Sequence, residues 1–127
     1  MVQAGFSFED LKVWQKAVEF AKATLNITEK IQVTRKHYRL IEQLESASTS
    51  VALNIAEGKG RYSRREFIHF LYVARGSLYE TVALLIIFYR NDWLNEKQLI
   101  DLKTLSNELG KMLSGLINAL KLQTNDL

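Results

Sequence analysis

The chain has 127 residues, of which 47% are hydrophobic and 24% are charged, and it contains neither proline nor cysteine. This length and composition predict one globular domain over 1–127, and the lack of cysteine excludes disulfides and thiolate metal sites. The net charge is +3 and the isoelectric point is about 9.2, a small excess whose placement matters more than its size.

Neither the N-terminal residues nor the longest apolar run indicates export or membrane insertion. The start of the chain, Met1 to Phe6, has no cationic segment and no apolar stretch, so it lacks the pattern of a signal peptide. The longest uninterrupted apolar run, Val82 to Tyr89, has eight residues, whereas a membrane-spanning helix needs about 20. We therefore expect a cytoplasmic protein without a membrane partner.

Helical periodicity begins near the N-terminus. The first helix is predicted at about 8–31 with Ser7 as its cap, and its apolar face repeats at spacings of three and four residues. That face comprises Leu11, Trp14, Val18, Ala21, Leu25 and Thr28. The second helix is predicted at about 38–57, ending where Gly58 would adopt the left-handed conformation that closes many helices.

The third helix, predicted at about 64–90, starts at a capping box formed by Ser63 and Glu66. It is apolar nearly all round, a pattern typical of a helix buried on every side. Because a four-helix monomer cannot bury every side, we predict that part of this helix meets another subunit. The predicted interface residues are Val82, Ile86, Ile87, Phe88 and Tyr89.

A fourth helix, at about 96–122, follows a second capping pair, Asn95 and Gln98. Four amphipathic helices joined by short loops predict an all-α fold, the up-and-down four-helix bundle.

Catalytic and metal chemistry find little support in the residues. Glu66 and His69 have the spacing of a di-iron ligand pair, but such a site needs a second pair and two further glutamates. The other histidine, His37, lies among cations, and no histidine falls at helical spacing from the serines of the second helix. We expect no enzyme, no metal and no cofactor.

Cations concentrate at the two ends of the predicted bundle. Those at the turn between the second and third helices, with no acidic residue among them, are the candidate nucleic-acid-binding residues Lys59, Arg61, Arg64 and Arg65. A second group, Lys30 to Arg39, lies at the opposite end. Either the ends hold phosphates or both are ordinary solvated loops. No base-reading element is visible, so any binding would be sequence-tolerant and salt-dependent.

Polar residues also interrupt the apolar pattern of the second and third helices. They are Asn54, Glu57, Arg75, Ser77 and Glu80. Buried polar groups need partners, so we predict a network that sets the register of the helix pair, in which Arg75 bonds to Glu57 or Glu80. The alternative for these residues is a ligand site.

Three segments resemble, in order and spacing, a bacterial four-helix-bundle family encoded in intervening sequences of 23S ribosomal RNA genes. They are Phe8 to Gln15 (FEDLKVWQ), Asn54 to Gly58 (NIAEG) and Phe70 to Leu78 (FLYVARGSL). The resemblance implies an up-and-down bundle that forms a ring-shaped homo-oligomer, a pentamer. A related branch, the accessory variability protein of diversity-generating retroelements, resembles a cationic barrel that binds a reverse transcriptase and nucleic acid.

Two hypotheses of function follow. The first is a non-enzymatic, ring-forming bundle that binds structured RNA, or an RNA–protein complex, through its cationic ends. The second is a protein–protein scaffold, such as an accessory subunit of a reverse transcriptase, with little direct contact to nucleic acid.

Overall fold

A computed structural model describes residues 5–125, with side chains through Gln123. Its four α-helices are α1 (Lys12–Thr28), α2 (Tyr38–Lys59), α3 (Arg64–Arg90) and α4 (Glu96–Asn125), and 3-10 turns span Ser7–Asp10 and Arg35–His37. No strand occurs over 5–125, so the predicted all-α four-helix fold is confirmed. Met1 to Ala4, on which the predicted lack of a signal peptide largely rests, lie outside the described residues.

The helices form a square in which each packs against the next in the chain and α1 closes against α4. This up-and-down order places the α2–α3 turn at the same end as the N-terminal 3-10 turn and the C-terminal end of α4. We call this the α2–α3 end. The α1–α2 and α3–α4 connections share the opposite end.

The first predicted helix was wrong at both limits. A 3-10 turn precedes it, and the extended backbone of Leu11 (φ −74°, ψ 122°) separates that turn from α1. Ser7 therefore lies inside the turn and does not cap α1. The turn is held because Glu9 accepts from the Phe6 amide and the Gln15 side chain donates to the Glu9 carbonyl. At the other limit α1 stops at Thr28, three residues before the predicted end.

Gly58 does not end α2, which corrects the second boundary. It lies inside the helix, α2 continues to Lys59, and among the described glycines none has a positive φ. The predicted Asn95–Gln98 pair is reciprocal, whereas only one of the two bonds of the predicted Ser63–Glu66 capping box forms. Ser63 Oγ accepts from the Glu66 amide, while Asn95 and Gln98 each accept the other's backbone amide at 2.8–2.9 Å.

The buried face of α1 differs from the predicted one. Val18 is 38% exposed, whereas Val13, Ala17 and Phe20 are buried. The prediction holds in part, since Ala21 and Thr28 of the predicted face are buried. The buried residues of α4 include Leu113 and Ile117. Apolar residues lie on adjacent faces of these helices, so their spacing alone does not show which face is buried.

The core consists of two apolar clusters. The cluster towards the α2–α3 end includes Phe20, Ile55 and Leu71, and the other includes Leu44 and Phe88. Thr28 of α1 is buried and donates to Glu45 of α2. Between the two clusters, each helix contributes one further buried hydroxyl, and these four are Thr24, Ser48, Thr81 and Ser106. Each donates to a carbonyl three or four residues earlier in its own helix. The layer is thus satisfied without any bond between helices, and buried donors need such partners.

Helix α3 is long and apolar enough, by length and composition alone, to cross a membrane. Its longest uninterrupted apolar run is much shorter than a membrane span, because polar residues divide its apolar stretches. About a third of this apolar stretch of α3 is buried inside the bundle. Core helices of bundles can be equally long and apolar. The helix contacts both α2 and α4, which accounts for its apolar inner faces.

Candidate nucleic-acid interface

The α2–α3 turn is built on an unusually close approach of its two helices. A Cβ placed on Gly58 would lie 2.6 Å from the Cβ of Phe70 and 3.1 Å from the ring of Phe67. Only glycine permits this approach, so α3 begins directly beside the last turn of α2. The predicted cationic residues are thereby confined to one small surface.

Two of the four cations are held by rings beneath them. The Lys59 ammonium lies 5.8 Å from the centre of the Phe67 ring, and the Arg61 guanidinium lies 4.9 Å from that of Phe70. Arg61 also forms an ion pair with Glu57 at 2.8 Å. Its charge is therefore partly neutralised, and the face of its guanidinium is occupied.

The other two cations extend into solvent. Arg64 and Arg65 are exposed at the start of α3. Neither forms an ion pair with any described residue. The adjacent carboxylate of Glu66 lies 3.3 Å from the Ser63 hydroxyl. We call Lys59, Arg61, Arg64 and Arg65 the turn cluster. Its charge is available to an anion mainly at Arg64 and Arg65.

A shallow groove of about 300 Å³ runs from the turn cluster to the C-terminal part of α4. Gly58, Lys59 and Phe67 line one side, and Gln123 lies across from them. Tyr62 borders the groove with its side chain completely exposed, at a relative exposure of 103%. The groove therefore combines cations, an aromatic ring and polar side chains.

Two further cations lie against the ring of Tyr72, in the same half of the bundle. The Arg75 guanidinium and the Lys121 ammonium each lie 4.9 Å from the centre of its ring, and Lys121 also donates to its hydroxyl. Sequence reasoning missed this group because Lys121 is 49 residues from Tyr72. No local spacing in the chain reveals a contact between α3 and α4.

The second basic group lies at the opposite end, as predicted. Arg35, Lys36 and Arg39 are exposed. His37 is half-buried, with its ring 4.8 Å from that of Trp93. The two basic groups therefore lie at opposite ends of one monomer.

The residues of the predicted polar network form other hydrogen bonds and ion pairs than those expected. Arg75 donates to Ser114 of α4 at 3.3 Å, whereas Glu57 pairs with Arg61. Asn54 donates to Ser50 within α2. One predicted member does join the two helices, since the Ser77 hydroxyl lies 3.0 Å from that of Ser50.

The remaining member, Glu80, is exposed, and its side chain forms no hydrogen bond or ion pair with any residue that the structure describes. The five residues therefore do not form one network. Glu57 and Glu80 are both exposed, so water solvates their carboxylates and neither requires Arg75 as a partner.

One residue of the predicted oligomer interface is inside the monomer. Phe88 is 0% exposed and packs edge-on against Trp93 at 5.1 Å. Val82 and Ile86 are half-buried, and Ile87 and Tyr89 are exposed. Phe88 faces inward because the α3–α4 connection folds back over it. It is therefore not available to another subunit.

The apolar face that α3 does expose is longer than predicted. It comprises Val73, Gly76, Tyr79, Ala83 and Ile87, and we call it the α3 outer face. Tyr79 is 64% exposed and Ile87 is 48% exposed. A groove of about 310 Å³ adjoins this face and is lined by Tyr79, Val82, Ala83 and Ile86 of α3 and by Ser106 and Asn107 of α4.

Comparison with known proteins matches this architecture to one family. The model of the 23S rRNA-intervening sequence protein family matches residues 9–115. A solved structure, a protein of unknown function from the S23 ribosomal protein family of Bacteroides thetaiotaomicron, is similar with a TM-score of 0.77 and 27% identity. The similarity covers 84% of this chain and 95% of that one. No curated protein matches the chain.

Proposed function

Because the chain belongs to the 23S rRNA-intervening sequence protein family, we propose that it is a non-enzymatic RNA-binding bundle. It assembles into a homo-oligomeric ring, a pentamer, and binds structured RNA or an RNA–protein complex through its cationic ends. The family name and the fold support an association with RNA. The distribution of charge supports the mode of contact.

The turn cluster is the observation that carries this function. Four cations surround a single turn, and only Arg61 is paired with a carboxylate among the described residues. Cations without acidic partners attract the phosphates of a nucleic acid and release its counterions. Such contacts position the ligand without reading its bases. The protein therefore recognises the shape and charge of an RNA rather than a base sequence.

The ring is supported by the α3 outer face. Tyr79 and Ile87 expose large apolar surfaces on this face, and a Cβ added to Gly76 would meet no heavy atom within 4 Å beyond the backbone of its own helix. A mid-helix glycine weakens a helix by about 0.5–1 kcal/mol relative to alanine, and no described residue packs against Gly76 to compensate for it. Close packing of another subunit against Gly76 would offset that loss. A ring would also repeat the turn cluster around one rim.

The test measures RNA affinity over a salt series. Wild type is compared with a variant in which Lys59, Arg61, Arg64 and Arg65 are all alanine. We expect wild-type affinity to fall steeply with salt, and the variant to bind more weakly with a shallower slope. The matched control replaces four cations away from the two ends with alanine, and these are Lys16, Lys22, Lys103 and Lys111; one of them, Lys16, is ion-paired, as Arg61 is in the turn cluster. An equal loss in that control, or no binding by wild type at low salt, would refute the proposal.

A second candidate function rests on the groove beside the α3 outer face. Its lining is mostly apolar, and Tyr79 and Ala83 at its edge are exposed. These features suit a protein partner, so the alternative is a protein–protein scaffold or reverse-transcriptase accessory subunit with little nucleic-acid contact. Light scattering separates the two uses of this face. A mass near five times the 14.6 kDa of one chain supports the ring, whereas a stable monomer leaves the face for another protein.

A further inference from the structure

Tyr62 is the most exposed of the large apolar and aromatic side chains that the structure describes. Its relative exposure is 103%, compared with 53% for Tyr38 and 64% for Tyr79. It lies in the turn between α2 and α3, and its ring packs against no other described ring or cation. It therefore contributes no buried area to the fold. No contact with a described residue explains its presence at this position.

Unlike Tyr62, the neighbouring aromatic rings each have a cation over one face. The rings of Phe67 and Phe70 are already covered by Lys59 and Arg61. Tyr62 is thus the one aromatic ring of the described α2–α3 turn whose faces are open. The turn cluster holds cations on both sides of it in the sequence. A planar, anionic ligand could place its ring on Tyr62 and its phosphates on Arg64 and Arg65.

We propose that Tyr62 stacks on an unpaired base of the bound RNA while the turn cluster holds the flanking phosphates. This inference rests on the proposed function and narrows it to RNAs with single-stranded loops, bulges or ends. Aromatic stacking on exposed bases is the common means by which proteins recognise unpaired RNA. It tolerates any base, in keeping with the absence of a base-reading element.

A double helix does not fit the same site. Its bases are stacked on one another, so their faces are closed to Tyr62 unless a base is extruded, which costs a few kcal/mol. The adjoining groove has a volume of about 300 Å³, at the lower end of the range for small-ligand pockets of about 300–1,000 Å³. That space suits one nucleotide rather than a segment of duplex.

The experiment compares two RNAs with equal numbers of phosphates, a hairpin with an open loop and a fully paired duplex. Wild type should bind the hairpin more tightly. Tyr62→Ala should weaken hairpin binding by about 5- to 150-fold, the equivalent of one stacked base, and leave duplex binding unchanged. Tyr62→Phe should retain the preference because it keeps the ring. The loop carries 2-aminopurine, whose fluorescence should be quenched by wild type and Tyr62→Phe only.

A control variant and two further outcomes separate stacking by Tyr62 from other modes of binding. Leu53→Ala is the control, because Leu53 is a large, exposed side chain in the middle of α2 and lies outside both basic ends. An equal loss in that variant would overturn the assignment to Tyr62. If the turn-cluster variant loses binding but Tyr62→Ala does not, stacking is wrong and the proposed function stands. If wild type binds neither RNA at low salt, both the proposed function and this inference fail.

Discussion

Gly58 of α2 and Phe70 of α3 approach so closely that a Cβ on Gly58 would lie 2.6 Å from the Cβ of Phe70. The contact joins two rigid positions, because neither Cβ can move without its backbone. It sets the separation of α2 and α3 at the turn cluster. The spacing of the proposed RNA contacts therefore depends on a residue that carries no charge.

Gly58→Ala is expected to destabilise the fold by about 1–3 kcal/mol, the range for overpacking a well-packed site. The gain in helix propensity, about 1 kcal/mol, offsets part of the strain. Urea denaturation followed by circular dichroism measures the change. Gly60→Ala is the control, since its Cβ would make ordinary contacts of 3.5 and 3.7 Å. A loss as large in that variant would show that the turn itself, and not the contact with Phe70, is sensitive.

Gly76→Ala should have opposite effects on folding and assembly. At concentrations where the chain is monomeric, stability should rise by about 0.5–1 kcal/mol, because alanine favours the helix and the site is open. The added methyl group should weaken association, which light scattering at increasing concentration detects. Gly115→Ala is matched, because that site in α4 is also exposed and open. It should raise stability without changing assembly, and identical behaviour of the two variants would argue against the α3 outer face as an interface.

Glu57→Gln should strengthen RNA binding. The substitution releases Arg61 from its 2.8 Å ion pair, so one more cation can meet a phosphate and the salt slope should steepen by up to about 0.7–0.9. Stability should change by less than about 0.5 kcal/mol, as is usual for an exposed pair. The control is Asp101→Asn, which breaks a similar pair with Lys97 on α4. An equal gain there would reflect net charge alone.

Arg75→Ala should cost about 1–2 kcal/mol of stability. It removes a hydrogen bond to Ser114 and a contact with the ring of Tyr72, but it strands no carboxylate. A loss of about 3–5 kcal/mol, the range for an uncompensated buried charge, would restore the network predicted from the sequence. Ser114→Ala should cost less than Arg75→Ala, because Arg75 keeps its contact with Tyr72. Chemical denaturation of both variants supplies the comparison.

Lys16 joins α1 to α4 through a 2.6 Å contact with Glu108. The hydrogen bond to Glu108 is the main cause that raises the pKa of Lys16 above 10.5. Since the folded state holds this proton more tightly, the contribution to stability is present below about pH 10.5 and is lost as the pH rises through the higher folded value. Glu108→Gln should show a smaller loss of urea midpoint between neutral and alkaline pH. Equal losses in the two proteins would contradict this coupling.

Local chemistry accounts for the parts of the fold that were predictable. The limits of α3 were predicted to the residue, and α4 was predicted to begin where it does. Both begin at capping pairs, Ser63 with Glu66 and Asn95 with Gln98, whose partners are three residues apart. The start of α1 was missed because the competing turn depends on Glu9 and Gln15, two residues without a capping signature.

The sequence by itself determined the four helices, their order, the apolar character of α3 and the cations around the α2–α3 turn. These follow from interactions between residues a few positions apart, or from composition. Only the tertiary structure decided what each side chain meets: Phe88 lies inside, Arg75 reaches Ser114, and Tyr72 meets Lys121. The buried hydroxyl layer, one residue from each helix, is also a product of the fold. Such pairings depend on the rotation and register of whole helices, which many weak contacts set together.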